Sequence, residues 1–600
     1  MRSLPRHLLA LLVVLAPRLQ AQVVRYEVAV TTSGSPLFHV TADFPTAGKD
    51  TLYLSLPAWS PGAYEIQNYA RYVRGFRATS ATGQSLFWDR ADKDTWRVVT
   101  GRGDRVTVGF DYLADTIDLS LARIVGDFGQ FLGTNLFLFE EGRLDRPAEV
   151  RFRLPAGWRV TTALPGPDAA GYRAADYHEL ADAMTFVGRY NLDSLQVDGK
   201  WIRIALWPAA DYTPAVSRNL RNGIEKMAQV QNRLMGGAPY DVYTVFFNVI
   251  HEPIGFGGGL EHSSAQYDVM PAQAFADPAG TLGDFMYPLL SHEFFHLWNV
   301  KRIRPADMWP YDYRAEQYTP LLWWSEGVTD YYADLTNLRA GLWSPDQFLQ
   351  SITGNIQQVE AIPEPWSAED GSEATWINEI YINSSQLYYP KGSLLGMLLD
   401  ISIRDASDNA HSLDEVMRTL FTRYYRQGKG FTTGDLIGEL RRAGMPDPDG
   451  FYQRYINGRD SLPYDAVFAK AGIVVTRDVV SQPFVGVSTG VTPAGAVDVQ
   501  GITPGSAAEA AGLRPGDVLV SVGDIPVTLD QDWASAFRAR YRGRAGQPLA
   551  LTVRRGGQTL TLNTVVRERG ATRFALARAP SPTPKQARIW QGLATGTTPN

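Results

Sequence analysis

The sequence of 600 residues contains no cysteine. A chain without cysteine is neither a disulfide-stabilised scaffold nor a lipoprotein anchored through a cysteine-linked lipid. Its formal net charge is −6 at pH 7, so it carries no basic footprint of the kind that binds nucleic acid. Histidine is scarce, with eight residues. A metal-binding pair of histidines at helical spacing would therefore arise by chance in about one in a hundred such chains.

The beginning of the chain has the pattern of an export signal. Arg2 and Arg6 precede a short apolar run from Leu8 to Ala16, and Ala21 offers a small residue for cleavage. The apolar run is too short to serve as a permanent membrane anchor. We therefore expect an exported protein, periplasmic or secreted, and a bacterial periplasm suits a large exported chain without disulfides.

The length and the hydrophobic patterns divide the chain into several domains. Apolar residues alternate with polar ones over residues 22–198, which indicates an antiparallel β-sandwich. Residues 199–469 begin with strand-like runs and continue with long helical patterns. Residues 470–568 return to short strands with one or two helices. Proline and glycine recur from 569 to 600, which predicts a disordered tail.

The most informative segment is the His-Glu-x-x-His run from His292 to His296, which lies in a helical pattern. Residues four apart share one face of a helix, so both imidazoles can reach one metal ion. Glu293 stands beside them, where a general base is needed. Zinc would activate a water molecule, and Glu293 would accept its proton and pass it to the leaving amine.

A zinc site of this kind needs a third protein ligand, and Glu326 is the candidate. It lies in the run Trp-Ser-Glu-Gly on a second helical stretch, 30 residues after His296. Asp330 follows one helical turn later and could orient a ligand imidazole through its distal N–H group. The alternative for both acids is an ordinary solvated helix position.

Two further segments are candidates for substrate contact. Gly258 and Gly259 precede Glu261, so a peptide could approach the backbone while the carboxylate holds its free α-ammonium group. Tyr388 and Tyr389 could supply a phenol that stabilises the oxyanion. From spacing alone, a glycine loop with an incidental acid and a tyrosine pair in a cleft wall remain open alternatives.

These motifs, taken together, resemble the glycyl aminopeptidase family of zinc metallopeptidases. The resemblance rests on HEFFHLWNVKRIRP at 292–305, WSEG at 324–327, YPKG at 389–392, GGLEH at 258–262 and LPAWSPG at 56–62. It implies a glutamate-zincin fold, one zinc ion per chain, and removal of small N-terminal residues such as Gly or Ala. It assigns zinc to His292, His296 and Glu326, the base to Glu293, the substrate amine to Glu261 and the oxyanion to Tyr389.

The third unit resembles a bacterial PDZ domain, because the run GLRPGDVL at 512–519 follows a strand and a short helix. The resemblance implies a carboxylate-binding loop at Phe484, Val485, Gly486 and Val487 and a C-terminal peptide as a possible ligand. The predicted fold is therefore a multidomain α+β protein with a β-sandwich-like N-terminal domain, a thermolysin-like, mostly helical catalytic domain and a PDZ domain. The predicted divisions are a signal peptide at 1–21, the β domain at 22–198, the catalytic domain at 199–469, the PDZ domain at 470–568 and the tail at 569–600.

The predicted function is a zinc aminopeptidase that acts on peptides with a free N-terminus. Two alternatives remain at this stage. The first is a zinc endopeptidase, in which Glu261 contacts the substrate backbone. The second is a PDZ adaptor with a degenerate peptidase fold, although a degenerate fold would be expected to lose a ligand or the base, and the sequence keeps both. No nucleic-acid partner is expected.

Overall fold

The computed structural model describes residues 23–31, 34–169, 171–252, 257–276, 286–362, 366–377, 385–492, 494–529 and 531–597. The predicted signal peptide at 1–21 lies outside these residues. None of the helices within them has both the length and the apolar character needed to cross a bilayer.

The N-terminal region forms three β-sheets within its described residues, in strand orders β13-β11-β1-β2-β7-β4, β10-β3-β6-β5 and β12-β14-β9-β8. The strands are β1 Val24–Val30, β2 Leu37–Pro45, β3 Thr51–Ser55, β4 Val73–Ser80, β5 Trp88–Arg90, β6 Thr95–Val99, β7 Arg105–Leu113, β8 Arg123–Val125, β9 Phe128–Leu132, β10 Phe139–Glu140, β11 Ala148–Arg153, β12 Arg159–Thr162, β13 Tyr172–Ala174 and β14 Met184–Gly188. The predicted β-rich N-terminal domain is confirmed. One pair, β1 with β11, is parallel, because the long chain between these strands can cross over where a tight hairpin could not.

The catalytic region begins with a five-stranded sheet in the order β15-β16-β17-β19-β18. Its strands are β15 Asn191–Val197, β16 Lys200–Trp207, β17 Val242–Ile250, β18 Gly258–His262 and β19 Ala265–Pro271. The three central strands run parallel, and β18 pairs antiparallel at one edge. A long helix connects β16 to β17, with Thr213 as its N-cap and Gly236 in the left-handed conformation at its end. The edge position leaves one side of β18 free to face a cleft.

The rest of the catalytic region is mostly helical, as predicted. Its helices are Pro214–Met235, Gln273–Ala276, Tyr287–Phe295, Val328–Arg339, Pro345–Glu360, Ala368–Glu373, Ser385–Ala406, Leu413–Arg423, Thr433–Arg442, Pro448–Phe451 and Tyr464–Phe468. The helix from Ser385 starts before the two tyrosines at 388 and 389, so both lie within it. Pro390 therefore lies inside its first turns.

Close packing at two glycines sets the position of the motifs relative to each other. A Cβ atom on Gly327 would stand 2.5 Å from the Cα atom of Gly392, and one on Gly392 would stand 2.2 Å from the carbonyl oxygen of Trp323. Only glycine allows two backbones to approach so closely. Gly327 of the WSEG motif and Gly392 of the YPKG motif thus form the contact between the segment of Glu326 and the helix that carries Tyr388 and Tyr389.

The PDZ domain is inserted at the tip of a two-stranded ribbon. Strand β20, Ile473–Pro483, pairs with strand β27, Glu568–Arg578, along its whole length. Between them lie strands β21 Val487–Val491, β22 Val497–Ile502, β23 Val518–Val522, β24 Ile525–Pro526, β25 Pro548–Arg555 and β26 Gln558–Val565, with helices Ala507–Ala511 and Trp533–Arg540. These elements enclose a small hydrophobic core of their own, while the ribbon returns the chain to the catalytic region.

The predicted disorder of residues 569–600 is wrong for residues 569–597. After β27, a helix from Pro584 to Thr595 packs against the catalytic region, with Ile589 and Leu593 fully buried. The prolines and glycines that suggested disorder define this helix, because Pro584 occupies its first turn and Gly596 caps its end. Composition alone could not distinguish a capped, docked helix from a flexible tail.

Candidate metal centre and active site

The helix Tyr287–Phe295 carries the first part of the site. His292 and Glu293 lie in its last turn, and His296 is the residue that ends it. The Nε2 atoms of the two histidines face each other at 2.8 Å. Both imidazoles are buried, so the two nitrogens point together into the interior.

Glu326 completes a three-ligand set with these histidines. It lies in a π-helical turn, Trp323–Gly327, that precedes the helix Val328–Arg339; the sequence pattern predicted one continuous helix there. Its Oε2 atom is 3.3 Å from the Nε2 atom of His296 and 3.5 Å from that of His292. The wider π turn is a feature often found at functional sites, and here it directs the carboxylate toward the two imidazoles.

The donor set fits zinc. Two imidazole nitrogens and a carboxylate oxygen are zinc's usual ligands in catalytic sites, at about 2.0–2.2 Å from the metal. Such bonds in a tetrahedron separate the donor atoms by about 3.3–3.6 Å, and the two distances from Glu326 fall in that range. The three donor atoms lie within 4.8 Å of one another and belong to buried residues. A cation between them would relieve the close approach of the two nitrogens.

The far side of each imidazole is held by an acceptor. Asp330 Oδ1 lies 2.8 Å from Nδ1 of His292, and the carbonyl oxygen of Asn299 lies 2.7 Å from Nδ1 of His296. These contacts favour the tautomer with hydrogen on Nδ1, which leaves the Nε2 lone pair for a metal. Burial lowers the pKa of His292, but Asp330 and Glu326 outweigh it and raise the pKa well above 6.5, so a metal ion at Nε2 would have to displace the proton that this shift favours there. Asp330 lies beside the imidazole that it was predicted to orient, and that role stays a prediction.

Glu293 faces the edge strand β18. A Cβ atom on Gly259 would stand 2.4 Å from its carboxylate carbon, so glycine at 259 is what gives this carboxylate its space. Oε2 of Glu293 has no hydrogen-bond partner among the described residues. Burial and the charges of Glu261 and Asp268 raise the pKa of Glu293 well above 4.5, although His292 opposes the shift. A raised carboxyl pKa suits a group that accepts a proton near neutral pH.

Glu261 lies on the same strand, close to Glu293 and His296. One carboxylate oxygen of each glutamate and one nitrogen of His296 fall within 4.8 Å of one another. Gly62 of the N-terminal domain closes over Glu261, since a Cβ atom there would stand 2.5 Å from Oε2. Gly258 also lies on β18 and borders the same cleft. A Cβ atom on Gly258 would stand 3.4 Å from the Leu119 side chain. The predicted amine-binding residue is therefore adjacent to the predicted base.

A buried lysine supports Glu261, and the sequence analysis did not predict its role. The Nζ atom of Lys301 is 3.5 Å from Oε1 of Glu261 and 3.2 Å from Oδ1 of Asp182. It also donates a hydrogen bond to the carbonyl oxygen of Pro61 at 3.2 Å. Burial lowers the pKa of Lys301, but Asp182 and Glu261 outweigh it and raise the pKa above 10.5. The lysine is therefore charged and keeps a negative partner in the cleft.

The two tyrosines occupy different positions in the cleft. The Tyr388 hydroxyl lies 3.3 Å from that of Thr375, whereas the Tyr389 ring stands 5.8 Å from the His292 ring. Burial and the charge of Glu326 raise the pKa of Tyr389 well above 10, so it keeps its proton. Both line a cavity of about 370 Å³ together with Gly259. The Tyr389 ring thus lies beside a candidate metal ligand, and its role at the oxyanion stays a prediction.

Tyr64 of the N-terminal domain is a site residue that the sequence analysis missed. Its hydroxyl donates a hydrogen bond to Oε1 of Glu326 at 2.5 Å, and its side chain lines the same cavity as Tyr389. Burial, followed by the charges of Glu326 and Glu261, raises the pKa of Tyr64 well above 10. The only available signal was its place two residues after the LPAWSPG segment. Two histidines outside the metal centre have other partners: His262 is buried against Asp182, and His251 lies at the surface beside Asp211.

The predicted carboxylate loop of the PDZ domain differs from the prediction at its first residue. The N–H group of Phe484 donates to the carbonyl oxygen of Arg567 at 2.8 Å, so it is not free to bind a carboxylate. Val485 is buried in the domain core. Gly486 adopts the left-handed conformation at φ +83° and packs against Ser506. Val487 begins β21, which lies at an edge of the sheet, where a peptide strand could add.

Comparison with known proteins agrees with this architecture. Three protein-family models match the chain. The model of the Peptidase M61 N-terminal domain matches residues 25–189, that of the M61 glycyl aminopeptidase matches residues 286–395, and that of the PDZ domain matches residues 477–566. An aminopeptidase N family protein from Idiomarina loihiensis has the same fold, with 23% identity, a TM-score of 0.82, and coverage of 94% of this chain and 99% of that one. An M1 zinc metallopeptidase from Deinococcus radiodurans is 14% identical, with a TM-score of 0.47 and coverage of 74% and 95%. No curated protein matches the chain significantly.

The fold and the residues of the cleft define a metallo-aminopeptidase, a zinc peptidase by its donor set. The models of the N-terminal and catalytic domains of the glycyl aminopeptidase family match two separate segments of the chain in that order, and a PDZ domain follows them. The family resemblance, the multidomain α+β fold and the enzyme class predicted from the sequence are therefore confirmed.

Proposed function

We propose that the protein removes single, small N-terminal residues, such as Gly or Ala, from peptides. The observation that carries this proposal is the short distance between the amine-binding candidate and the base. Oxygens of Glu261 and Glu293 lie within 4.8 Å of each other. In a peptide, the amine nitrogen is about 2.5 Å from the carbonyl carbon of the same residue. Glu261 can therefore reach the amine of the residue whose carbonyl group is attacked.

Each side chain then has one task. One bound zinc ion, held by His292, His296 and Glu326, would supply Lewis acidity to the water and to the scissile carbonyl group. Glu293 accepts a proton from the attacking water and delivers it to the leaving amine. The Tyr389 hydroxyl donates a hydrogen bond to the carbonyl oxygen as negative charge develops on it.

Specificity for the free N-terminus follows from charge. Glu261 is buried and has Lys301 as a cationic neighbour on one side. A substrate ammonium can approach its other side from the cleft. An N-acetylated peptide offers no positive charge and would leave the buried carboxylate without that partner, which is costly. The preference for small residues is what the resemblance to the glycyl aminopeptidase family implies.

The decisive experiment compares matched substrates. Gly- and Ala-initiated peptides should be cleaved after their first residue, and the N-acetylated forms of the same peptides should be cleaved about 10- to 100-fold more slowly, the loss expected for one charged hydrogen bond. Leu- and Phe-initiated peptides test the size preference. Equal cleavage of free and acetylated peptides would instead support an endopeptidase. A purified protein without bound zinc after exposure to zinc would contradict the metal assignment.

We also propose that the PDZ domain binds the C-terminus of a peptide or protein at the edge strand β21, and that the chain is exported. Export predicts a mature protein that begins at Gln22, which N-terminal sequencing of the protein recovered from the periplasmic fraction would test. A protein that retains residues 1–21 in the cytoplasm would contradict export.

A further inference from the structure

The metal-ligating carboxylate of Glu326 has two oxygens with separate partners. Oε2 faces the two histidines, while Oε1 accepts the hydrogen bond from Tyr64 at 2.5 Å. A carboxylate bound in this way cannot rotate without losing one of its partners. The hydrogen bond also crosses between domains, because Tyr64 belongs to the N-terminal β region, 262 positions before Glu326.

The segment that carries Tyr64 is fixed in place. Its ring packs edge-on against Trp376, with ring centroids 6.2 Å apart and planes at 90°, and the residue is 6% exposed. Its backbone is left-handed, with φ +49°, a conformation that is unfavourable for a residue with a large side chain. Strain of this kind persists only where the surroundings enforce it, and it is concentrated at functional sites.

Contacts on both sides of Tyr64 enforce this conformation. The carbonyl oxygen of Ala58 accepts hydrogen bonds from the N–H groups of Gln67 and Asn68, both at 2.8 Å, which closes the loop that contains Tyr64. The hydrogen bond from Lys301 to Pro61 ties the same loop to the catalytic region. The hydroxyl therefore meets Glu326 as part of a rigid loop.

We propose that Tyr64 is a positioning residue of the metal centre, through which the N-terminal domain completes the zinc site. Its hydroxyl donates a hydrogen bond to Oε1 of Glu326, which leaves Oε2 as the oxygen that binds zinc. Hydrogen bonds to the outer side of metal ligands orient them, and their loss commonly weakens metal binding by about 10- to 100-fold. The proposal rests on the proposed zinc-peptidase function and extends it to a residue outside the catalytic motifs.

The test is zinc affinity in the full chain. Tyr64→Phe keeps the ring against Trp376 and removes only the hydroxyl. Competition with a chromophoric chelator should show about 10- to 100-fold weaker zinc binding than in the wild type. Tyr177→Phe is the matched control, because it removes another buried hydroxyl of the N-terminal domain, which donates to the carbonyl oxygen of Phe137 at 2.7 Å, outside the loop of Tyr64. Tyr177→Phe should leave zinc affinity unchanged.

A second measurement separates metal binding from general stability. For each variant, the melting temperature is compared with and without zinc. The zinc-induced increase should be smaller in Tyr64→Phe than in Tyr177→Phe, and a uniform loss of stability cancels from this difference. In a Glu326→Asp background, which withdraws the carboxylate from the tyrosine, Tyr64→Phe should cost no further zinc affinity.

The outcomes are distinct. Zinc affinity within twofold of the wild type in Tyr64→Phe would overturn the proposal, and a fall in kcat alone would assign the hydroxyl to the substrate. Additive losses in the Glu326→Asp background would also overturn it. A wild-type protein that binds no zinc would instead refute the proposed function itself.

Discussion

The metal centre and the PDZ domain are built in opposite ways. The centre gathers side chains from segments that are far apart in the sequence, from Tyr64 to Tyr389, and buries nearly all of them. The PDZ domain is one continuous stretch with its own core, and its binding element is the backbone of an edge strand. Chemistry that needs several groups at fixed distances depends on the whole molecule, whereas recognition through backbone hydrogen bonds needs only a local fold.

This difference predicts that single substitutions will abolish the function of the centre, while removal of the whole PDZ domain will spare it. The largest effect is expected for His292→Ala, which leaves two of three zinc ligands. Bound zinc, measured by atomic spectroscopy after dialysis, should fall to background, and hydrolysis should fall with it. His251→Ala, a surface histidine beside Asp211, is the control and should keep both. Full zinc occupancy in His292→Ala would exclude His292 as a ligand.

Glu293→Gln should keep the metal and lose the chemistry. An amide cannot accept the proton, so kcat should fall by about 10²- to 10⁴-fold, the range of general acid–base catalysis. Zinc content and melting temperature should stay near the wild-type values, and the melting temperature could rise, because an uncharged group replaces a carboxyl whose pKa burial has raised. A zinc-loaded Glu293→Gln protein with wild-type kcat would remove Glu293 from the mechanism.

Tyr389→Phe tests a group that acts on charge developing in the transition state. Its loss should lower kcat by about 100-fold or more with little change in KM. Tyr388→Phe is the matched control, because its hydroxyl lies near Thr375, and it should have a much smaller effect. The reverse ranking of the two variants would transfer the role to Tyr388.

Glu261→Gln should change specificity more than rate. The loss of one charged hydrogen bond corresponds to about 1.5–3 kcal/mol, so KM for free-amine peptides should rise about 10- to 100-fold. The discrimination against N-acetylated peptides should fall by a similar factor. Glu65→Gln, which changes a carboxylate that lines the cavity beside Tyr389, serves as the control and should preserve that discrimination. An unchanged ratio in Glu261→Gln would contradict its contact with the amine.

The smallest effect on chemistry is expected when the PDZ domain is removed cleanly. Pro483 and Glu568 are paired at the tip of the ribbon, so residues 484–567 can be replaced by a two-residue Asn-Gly turn that closes a β-hairpin. Hydrolysis of dipeptides should stay within about twofold of the wild type, because no group of the metal centre is lost. Cleavage of longer substrates should fall if the PDZ domain captures their C-termini. A large loss on dipeptides would show that the domain supports the cleft.

Truncation at Ala469 provides a contrasting variant. It removes the PDZ domain together with the ribbon and the helix Pro584–Thr595, whose Ile589 and Leu593 are buried in the catalytic core. Each buried aliphatic side chain contributes about 1.5–3 kcal/mol, so this variant should melt at a lower temperature than the hairpin variant. Equal melting temperatures would show that the helix adds no stability.

Local motifs explain why so much of the centre could be predicted. His292, Glu293 and His296 are related by helical spacing, and Glu326 and Tyr389 lie in short runs with glycine partners that fix their packing. The structure places these residues together, and their individual roles remain predictions. Tyr64 and Lys301 gave no such signal, because their contacts depend on how two domains meet. The prediction of disorder at 584–595 failed for a related reason: local composition does not show that a helix will be buried against a distant core.

The helix Pro584–Thr595 also has a consequence for the order of events during synthesis. Arg339, on the helix that follows Glu326, donates a hydrogen bond to the carbonyl oxygen of Leu593 at 3.0 Å. The ribosome makes that carbonyl only after the entire PDZ domain. A nascent chain that has not reached residue 595 therefore lacks part of the peptidase core, and the mature arrangement of the catalytic helices is completed only near the end of translation.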